Sequence, residues 1–223
     1  MALILNIETA TKNCSVCLAE EGKILALKEF NEGGYSHAEK LHQFINDVIK
    51  ESGKELSEIK AVAVSKGPGS YTGLRIGVSA AKGLCFALEV PLISINTLIS
   101  LADSISIANG FKVALLDARR MEVYSQVLNY NNEILEEVKA EIIDKNSFEK
   151  YLTKGEVTFL GDGAEKCKAV IQHLNAKFID NKFPSAKEMA LLSYNKYKKN
   201  DIEDVAYFEP FYLKDFVVVK SKK

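Results

Sequence analysis

The chain has 223 residues, of which 47% are hydrophobic and 26% are charged, and its formal net charge is −1. This length suits one large domain or two smaller units that share a core, and the composition is typical of a globular protein. The balanced charge excludes nucleic-acid binding through a general basic surplus. We interpret the lysine-rich end, Lys214 to Lys223, as a solvated tail.

The sequence carries no sign of export or membrane insertion. No apolar run reaches the ~20 residues that span a bilayer, and the start, MALILNIETA, lacks the basic region of a secretion signal. We therefore expect a cytoplasmic protein that does not contact membranes. The four scattered cysteines agree with this, and we expect Cys14 and Cys17 to be buried side chains on opposite faces of one strand.

The first half of the chain is predicted to form a meander followed by alternating helices and strands. The apolar run at 2–8, CSVCLAE and KILALKEF are the three strands of the meander, with a turn at Glu21-Gly22. A helix is predicted over 36–52 from apolar residues at helical spacing. The later predicted elements are a strand at 59–65, a helix at 75–88, a strand at 90–95 and a helix from Asn96-Thr97 to about Ala108.

The same order of elements recurs after Asn109-Gly110. Strands are predicted over KVALLDA, MEVYSQVLNY and ILEEVKAEII, followed by a helix near 147–152, the strand EVTFLGDG and helices around 163–174 and 185–198. Short strands that alternate with helices favour an α/β architecture. The repeated order predicts two halves that meet near residues 109–111.

A glycine-rich loop, KGPGSYTGLRIG at 66–77, joins the strand at 59–65 to the next helix. Its spacing matches neither a P-loop nor a dinucleotide-binding loop, although a strand-to-helix turn can offer free amides to an anion. A structural or interface turn is favoured, and a vestigial phosphate site stays open. The residues of that candidate site are Glu8, Thr9, Gly67, Gly69, Ser70 and Gly73.

The sequence offers no catalytic or metal-ligating set, and we expect no metal and no cofactor. His37 and His42 lie five residues apart, which separates them by about 140° around a helix, so they do not form a two-histidine metal site. A serine elbow of the G-x-S-x-G type is absent from the sequence. This pattern indicates a binding protein rather than an enzyme.

Four segments together resemble the TsaB (YeaZ) family of bacterial tRNA threonylcarbamoyladenosine biosynthesis proteins: ILNIETAT, GPGSYTGLRIG, LLDARRMEVY and EPFYLKDF. The resemblance extends over essentially the whole chain, and GPGSYTGLRIG is its most specific block. It implies a duplicated actin-like, ribonuclease H-like α/β fold with two lobes, each a mixed sheet with helices. We divide the chain into an N-terminal lobe, 1–109, and a C-terminal lobe, 110–223.

The resemblance also implies a function. TsaB-like proteins are non-catalytic partners of TsaD, the enzyme that moves a threonylcarbamoyl group onto an adenosine beside the tRNA anticodon, and TsaE, an ATPase, joins them. The TsaD metal site includes an H-x-x-x-H motif, whereas this chain has H-x-x-x-x-H at 37–42, so catalysis is not carried over. We expect a homodimer when the chain is alone, and tRNA contact only through the complex.

The resemblance also implies that the dimer contacts come largely from the first two helices of the N-terminal lobe. The exposed candidates carried over to this chain are His37, Leu41, Phe44, Tyr71, Leu74, Arg75 and Val78. The rival interpretation is a free-standing ATP-dependent small-molecule kinase or a peptidase of the actin-like superfamily, with Leu160-Gly-Asp-Gly163 as an adenosine-side turn. Glu8 stands where relatives often have aspartate, which weakens the case for inherited metal-phosphate chemistry.

Overall fold

A computed structural model describes residues 1–32 and 36–214. Beyond Lys214, the predicted lysine-rich tail lies outside the described residues. The elements of the first half are β1 (Leu3–Glu8), β2 (Cys14–Glu20), β3 (Lys23–Phe30), α1 (His37–Ser52), β4 (Ala61–Gly67), α2 (Tyr71–Leu88), β5 (Leu92–Asn96) and α3 (Thr97–Asp103). Those of the second half are β6 (Phe111–Asp117), β7 (Glu122–Asn129), β8 (Ile134–Ile142), α4 (Glu149–Leu152), β9 (Val157–Leu160), α5 (Ala164–Lys168), β10 (Ala176–Ile179) and α6 (Ala186–Lys198).

Each half contains one five-stranded mixed sheet, and the two sheets have the same strand order. The orders are β3-β2-β1-β4-β5 and β8-β7-β6-β9-β10. In each sheet the first three strands are antiparallel neighbours, and the last two run parallel to the strand that opened the half. This repeated topology confirms the duplicated actin-like α/β fold that the sequence predicts.

The first sheet is buried on both faces, which explains why β1 is an uninterrupted apolar run. Helices α1 and α2 cover one face, where Cys14 packs, and α6 covers the other face, where Cys17 packs. The two cysteines therefore lie on opposite faces of β2, as predicted. All four cysteines of the chain are free and buried.

Helix α6 corrects the predicted division of the chain. It begins at Ala186, which the sequence division places in the C-terminal lobe, yet Ala186, Met189 and Ala190 pack against Ile4 and Ile93 of the first sheet. The chain thus crosses back to the first half after β10. The physical reason is that the second face of the first sheet is apolar and needs a cover, which α6 provides.

Several predicted helices have different ends in the structure. Helix α2 starts at Tyr71 rather than at Arg75, because the Ser70 hydroxyl accepts a hydrogen bond from the Gly73 amide and caps the first turn. Helix α3 ends at Asp103 rather than near Ala108. At this end of the helix, the buried Lys112 ammonium donates to the carbonyls of Ala102 and Ile105. Within the described ranges, no helix combines the length and the apolar character needed to cross a bilayer.

Candidate interaction surface and glycine loop

The glycine-rich loop packs against the turn that follows β1. A Cβ atom placed on Gly69 would lie 2.4 Å from the carbonyl oxygen of Ala10, and one placed on Gly73 would lie 2.1 Å from that of Thr9. The Ser70 amide donates to the Ala10 carbonyl at 2.6 Å, and the Thr9 hydroxyl donates to the Gly73 carbonyl at 2.8 Å. The glycines are therefore required by the chain's own backbone, which approaches too closely for any side chain.

Several amides around this loop have acceptors within the chain. The Ala10 amide donates to Glu8 Oε1 at 2.6 Å, and the Gly73 amide donates to Ser70 Oγ at 3.3 Å. Gly67 also has no room for a side chain, since a Cβ there would lie 2.8 Å from the Phe211 carbonyl oxygen. Its φ of +105° likewise favours glycine. The structure thus brings the predicted phosphate-site residues together, but their hydrogen bonds are made to one another.

Glu8 ends β1 and has no exposed surface. Burial raises the pKa of its carboxyl to about 7, although hydrogen bonds from the Ala10 amide, the Ser65 side chain and the Thr9 amide partly oppose this shift. Its Oε2 atom has no hydrogen-bond partner among the described residues. A carboxyl that solvent cannot reach cannot ligate an ion from solution without rearrangement.

A cleft of ≈ 590 Å³ lies between the two halves. Four carboxylates and two ammonium groups line it, which disfavours a polyphosphate: Asp117, Asp162, Glu165 and Asp180, with Lys12 and Lys168. The turn suggested as the adenosine side packs against the neighbouring strand β6, since a Cβ on Gly161 would lie 2.0 Å from the Leu115 carbonyl oxygen. The cleft therefore gives no support to the rival kinase interpretation.

Five of the predicted interface residues are not exposed, so that part of the prediction is wrong. His37, Leu41, Phe44, Leu74 and Val78 are all buried. The resemblance supplied the helices, but these residues lie on the inner faces of the helices. Leu41, Phe44 and Val78 pack in the core against the first sheet. His37 Nε2 lies 2.7 Å from the Thr11 carbonyl oxygen, and burial lowers the pKa of its imidazole.

Tyr71 and Arg75 do reach the surface at the start of α2, where the C-terminal segment meets them. The Arg75 guanidinium lies 4.4 Å from the centre of the Tyr71 ring, and that ring lies 4.8 Å from the Tyr212 ring. The segment before Tyr212 is held to α2 because the Lys82 ammonium donates to the carbonyls of Ala206 and Phe208 at 3.1 Å. The predicted interface role of Tyr71 and Arg75 stays a prediction.

On the outward face of α2, sequence reasoning named Arg75 but missed the exposed Phe86 and Ser79. We call Arg75, Ser79, Gly83 and Phe86 the outer stripe, because they follow one another at helical spacing and all are exposed. The Phe86 side chain is 83% exposed. Apart from its chain neighbours and the adjoining backbone of α2, no described atom lies within 4 Å of a Cβ placed on Gly83, in contrast to Gly77, where a Cβ would lie 2.2 Å from Thr9 Oγ1. The sequence did contain an indication of this face, because Phe86 is a large apolar residue that does not share the helical spacing of the buried positions of α2.

These features define a class of duplicated actin-like proteins in which the glycine loop closes on its own chain and α2 presents an exposed outer face. The sequence model of the family described as TsaD, tRNA N6-adenosine threonylcarbamoyltransferase, matches residues 32–221. The chain therefore belongs to this family, within which it is a member of the TsaB (YeaZ) group.

Individual relatives agree with that grouping. The chain is 29% identical over 229 residues to the tRNA threonylcarbamoyladenosine biosynthesis protein TsaB of Escherichia coli K12, and the match covers 98% of this chain and 97% of that protein. It is 36% identical over 113 residues to the tRNA N6-adenosine threonylcarbamoyltransferase of Zymomonas mobilis, a match that covers 44% of this chain but 31% of the transferase. The structure of YeaZ from Pseudomonas aeruginosa superimposes with a TM-score of 0.82 at 25% identity, over 96% of this chain and 100% of that one.

Proposed function

We propose that this chain is a non-catalytic subunit that binds and activates a TsaD-like enzyme in the threonylcarbamoyladenosine modification of tRNA next to the anticodon. Two relatives support the assignment. The chain has nearly the full length of the E. coli protein named TsaB, whereas it spans less than a third of the Z. mobilis transferase. The observation that carries the proposal is the outer stripe of α2.

Among the described residues, no contact requires a glycine at position 83. Glycine within a helix destabilises it by about 0.5–1 kcal/mol relative to alanine, and no described atom needs the space that a Cβ at Gly83 would occupy. Ser79 lies one turn earlier on the same exposed face, and we infer that the two small residues leave a shallow groove there. Such a groove lets the backbone of a partner helix approach closely, which accounts for a glycine at this place.

Phe86 and Arg75 stand at the two ends of this groove. Aromatic and arginine side chains are the residue types that most often anchor protein interfaces. An aromatic ring that is 83% exposed leaves a large apolar surface in water, and a partner that covers it would gain the free energy of removing that surface from water. The outer stripe therefore has small residues in the middle and anchors at its ends.

The non-catalytic part of the proposal rests on the glycine loop. Its Ser70 and Gly73 amides donate within the chain, and its glycines lie against the chain's own backbone. The cleft between the halves carries four carboxylates against two ammonium groups. An enzyme that transfers phosphate needs groups that stabilise phosphate charge. We propose that the partner enzyme supplies this chemistry.

The proposed assembly has further members besides the TsaD-like enzyme. A TsaE-like ATPase joins the complex, and the isolated chain forms a homodimer by covering the outer stripe with that of a second copy. With a net charge of −1, the chain contacts tRNA only through its partners. The proposed setting is the cytoplasm.

The test is co-purification of the full chain with the TsaD-like protein of the same organism, followed by size exclusion. Gly83→Leu fills the groove and Phe86→Ser removes an anchor, and we expect each to weaken the complex by about tenfold or more. Leu174→Ser is the matched control, because Leu174 is 93% exposed and lies outside α1 and α2, and this variant keeps wild-type binding.

Circular dichroism of each variant checks folding. The interface assignment is wrong if both α2 variants, correctly folded, bind as tightly as the wild type. A separate measurement concerns catalysis: transfer of phosphate from ATP by the isolated chain would contradict the non-catalytic assignment. Arg75→Glu combined with Tyr71→Ala tests the other end of the outer stripe in the same assay.

A further inference from the structure

The second sheet ends in a long strand that has a neighbour on one side only. This strand is β8, which has nine residues and pairs with β7. Within residues 1–32 and 36–214, no other strand lies beside it, because β8 is the last strand in the order of its sheet. An open edge of this length presents a row of backbone donors and acceptors that a further strand can pair with. We call this row the β8 edge.

Apolar side chains along β8 are also left in water. Ile142, at one end of the strand, is 75% exposed, and Ile134 and Leu135, at the other end, are 42% and 43% exposed. A strand added at the β8 edge would cover part of this surface, and removing apolar surface from water is favourable. The edge therefore has both the hydrogen-bonding groups and the apolar surface of a site for strand addition.

The described chain ends beside this edge. The Lys214 ammonium pairs with Glu122 Oε2, and Glu122 lies opposite Ile142 in the register of β7 and β8. Neighbouring strands are about 4.8 Å apart, so this ion pair holds the chain close to the C-terminal end of β8. Nine residues follow Lys214, as many as β8 contains. Extended at about 3.4 Å per residue, they are long enough to follow the whole strand.

The amino acids of this last segment, DFVVVKSKK, favour a strand partner. Valine and phenylalanine are among the residues most enriched in strands. A solvated tail accounts for the lysines of the segment, but four consecutive apolar residues, Phe216 to Val219, are unfavourable in water. The apolar part of the segment therefore needs a surface to cover it.

The point where the segment starts sets its direction along β8. A segment that begins beside Ile142 and follows the edge runs toward Ile134, which makes it antiparallel to β8. With Asp215 opposite Ile142, the residue opposite Glu137 is Lys220. Opposite charges that face each other across an antiparallel pair stabilise the pair.

Glu137 is the carboxylate of β8 that is free to make this contact. It is exposed, and it forms no ion pair with another described residue. The neighbouring carboxylates of Glu136 and Glu141 already pair with Lys139, at 2.9 Å and 3.3 Å. The charge of the last segment thus complements the unpaired charge of the edge.

We propose that residues 215–222 of this chain bind the β8 edge as a sixth, antiparallel strand of the second sheet. Backbone hydrogen bonds supply the attraction in strand addition, and side chains such as Lys220 set the register. The occupant is the chain's own end, because the ion pair at Lys214 holds the segment beside the edge and so raises its effective concentration there. The proposal is independent of the function proposed above, since the outer stripe lies on the first half.

The experiment is hydrogen–deuterium exchange, read by mass spectrometry, of the full chain and of a variant that ends at Lys214. We expect the amides of β8 to exchange about tenfold faster or more in the shortened variant, because the amides on the open edge lose their acceptors. The edge strand of the first sheet, β3, is the internal control, and its exchange stays the same in both proteins.

Two variants of full length test the pairing itself. Val217→Pro combined with Val218→Pro removes two successive amides, one of which must face β8, and we expect exchange of β8 as fast as in the shortened variant. Glu137→Lys places like charges opposite each other, and we expect exchange about two- to fivefold faster. Glu39→Lys is the matched control, because Glu39 is exposed on α1 in the first half, and it leaves β8 unchanged.

Two results would overturn the proposal. If β8 exchanges equally fast in the full chain and in the shortened and double-proline variants, the last segment does not cover the edge. If the protection of β8 in the full chain disappears on dilution, the edge is covered by a second copy and not by the chain's own end. Circular dichroism checks folding, and the double-proline variant keeps the test valid if the shortened chain does not fold.

Discussion

In both halves of the molecule, a carboxylate at the end of the first strand accepts a hydrogen bond from the amide two residues later, but the surroundings of the two carboxylates differ. β1 ends in Glu8, whose Oε1 accepts from the Ala10 amide at 2.6 Å, and β6 ends in Asp117, whose Oδ1 accepts from the Arg119 amide at 2.7 Å. Glu8 is wholly buried, whereas Asp117 is exposed and pairs with Lys166 at 2.7 Å. The hydrogen bond is therefore a property of the turn, and the electrostatics depend on what covers the turn.

A close backbone contact also follows β4 in the first half and β9 in the second half, and a glycine makes room for it in both. A Cβ on Gly73 would meet the Thr9 carbonyl oxygen at 2.1 Å, and one on Gly161 would meet that of Leu115 at 2.0 Å. The helices that follow differ, since α2 has 18 residues and α5 has 5. The halves share a way of closing the loop over the first strand, but only α2 is long enough to present an outer face to a partner.

The largest expected effect comes from adding a methyl group where the backbones meet. Gly73→Ala and Gly161→Ala each place a carbon far inside contact distance of a carbonyl oxygen, and we expect each to lower the free energy of unfolding by about 2–4 kcal/mol. The loss is greater for Gly161, whose φ is +110°. Urea denaturation measures both.

Gly83→Ala is the control for that pair, on the same helix as Gly73. Apart from its chain neighbours and the adjoining backbone of α2, its Cβ meets no described atom within 4 Å, so we expect the free energy of unfolding to rise by about 0.5–1 kcal/mol. Equal losses at Gly73 and Gly83 would contradict the distinction between the inner and outer faces of α2.

The second effect concerns the buried carboxyl of Glu8. Its pKa rises from 4.5 to about 7 on folding, so the unfolded chain releases the proton between these two pH values while the folded chain keeps it. The contribution of Glu8 to stability is therefore fully present below pH 4.5 and is lost as the pH rises to 7. We expect Glu8→Gln to be more stable than the wild type at pH 8 by about 2–3 kcal/mol, and no more stable at pH 4.

Asp117→Asn is the matched change in the second half. Asp117 is exposed and its ion pair with Lys166 is at the surface, so the free energy of unfolding changes by less than about 1 kcal/mol at either pH. Denaturation curves at pH 4 and pH 8 for both variants measure the difference. A pH response at Asp117 as large as that at Glu8 would mean that burial is not the cause.

The smallest effect distinguishes the starts of the two helices. Ser70 caps α2 through its hydroxyl, whereas Gly163 at the start of α5 provides no side-chain cap. We expect Ser70→Ala to lower the free energy of unfolding by about 1 kcal/mol. Ser57→Ala, which removes an exposed hydroxyl bonded only to Glu55, stays near the wild-type value in the same thermal melts. Equal losses would show that the cap contributes nothing.

Local patterns were sufficient for most of the elements. Both meanders, α1 and α6 were predicted from apolar spacing and turn residues, because these features act over a few neighbouring residues. The short strand β10 (Ala176–Ile179) was not predicted, since four residues with no regular burial carry no periodic signal. It becomes a strand by pairing with β9, which is a contact that local sequence does not encode.

Some features of the candidate site were likewise predictable from the sequence, and others were not. Sequence by itself determined the duplicated order of elements, the strand-to-helix position of the glycine loop and the two helices near the proposed interface. Only the tertiary structure decided which face of each helix is inward, so Leu41, Phe44, Leu74 and Val78 proved buried and Phe86 exposed. It also decided that α6 returns to the first sheet and that the loop glycines make room for Thr9 and Ala10. The reason is physical: periodicity shows that a helix has an apolar face, but packing against the sheet decides what that face touches.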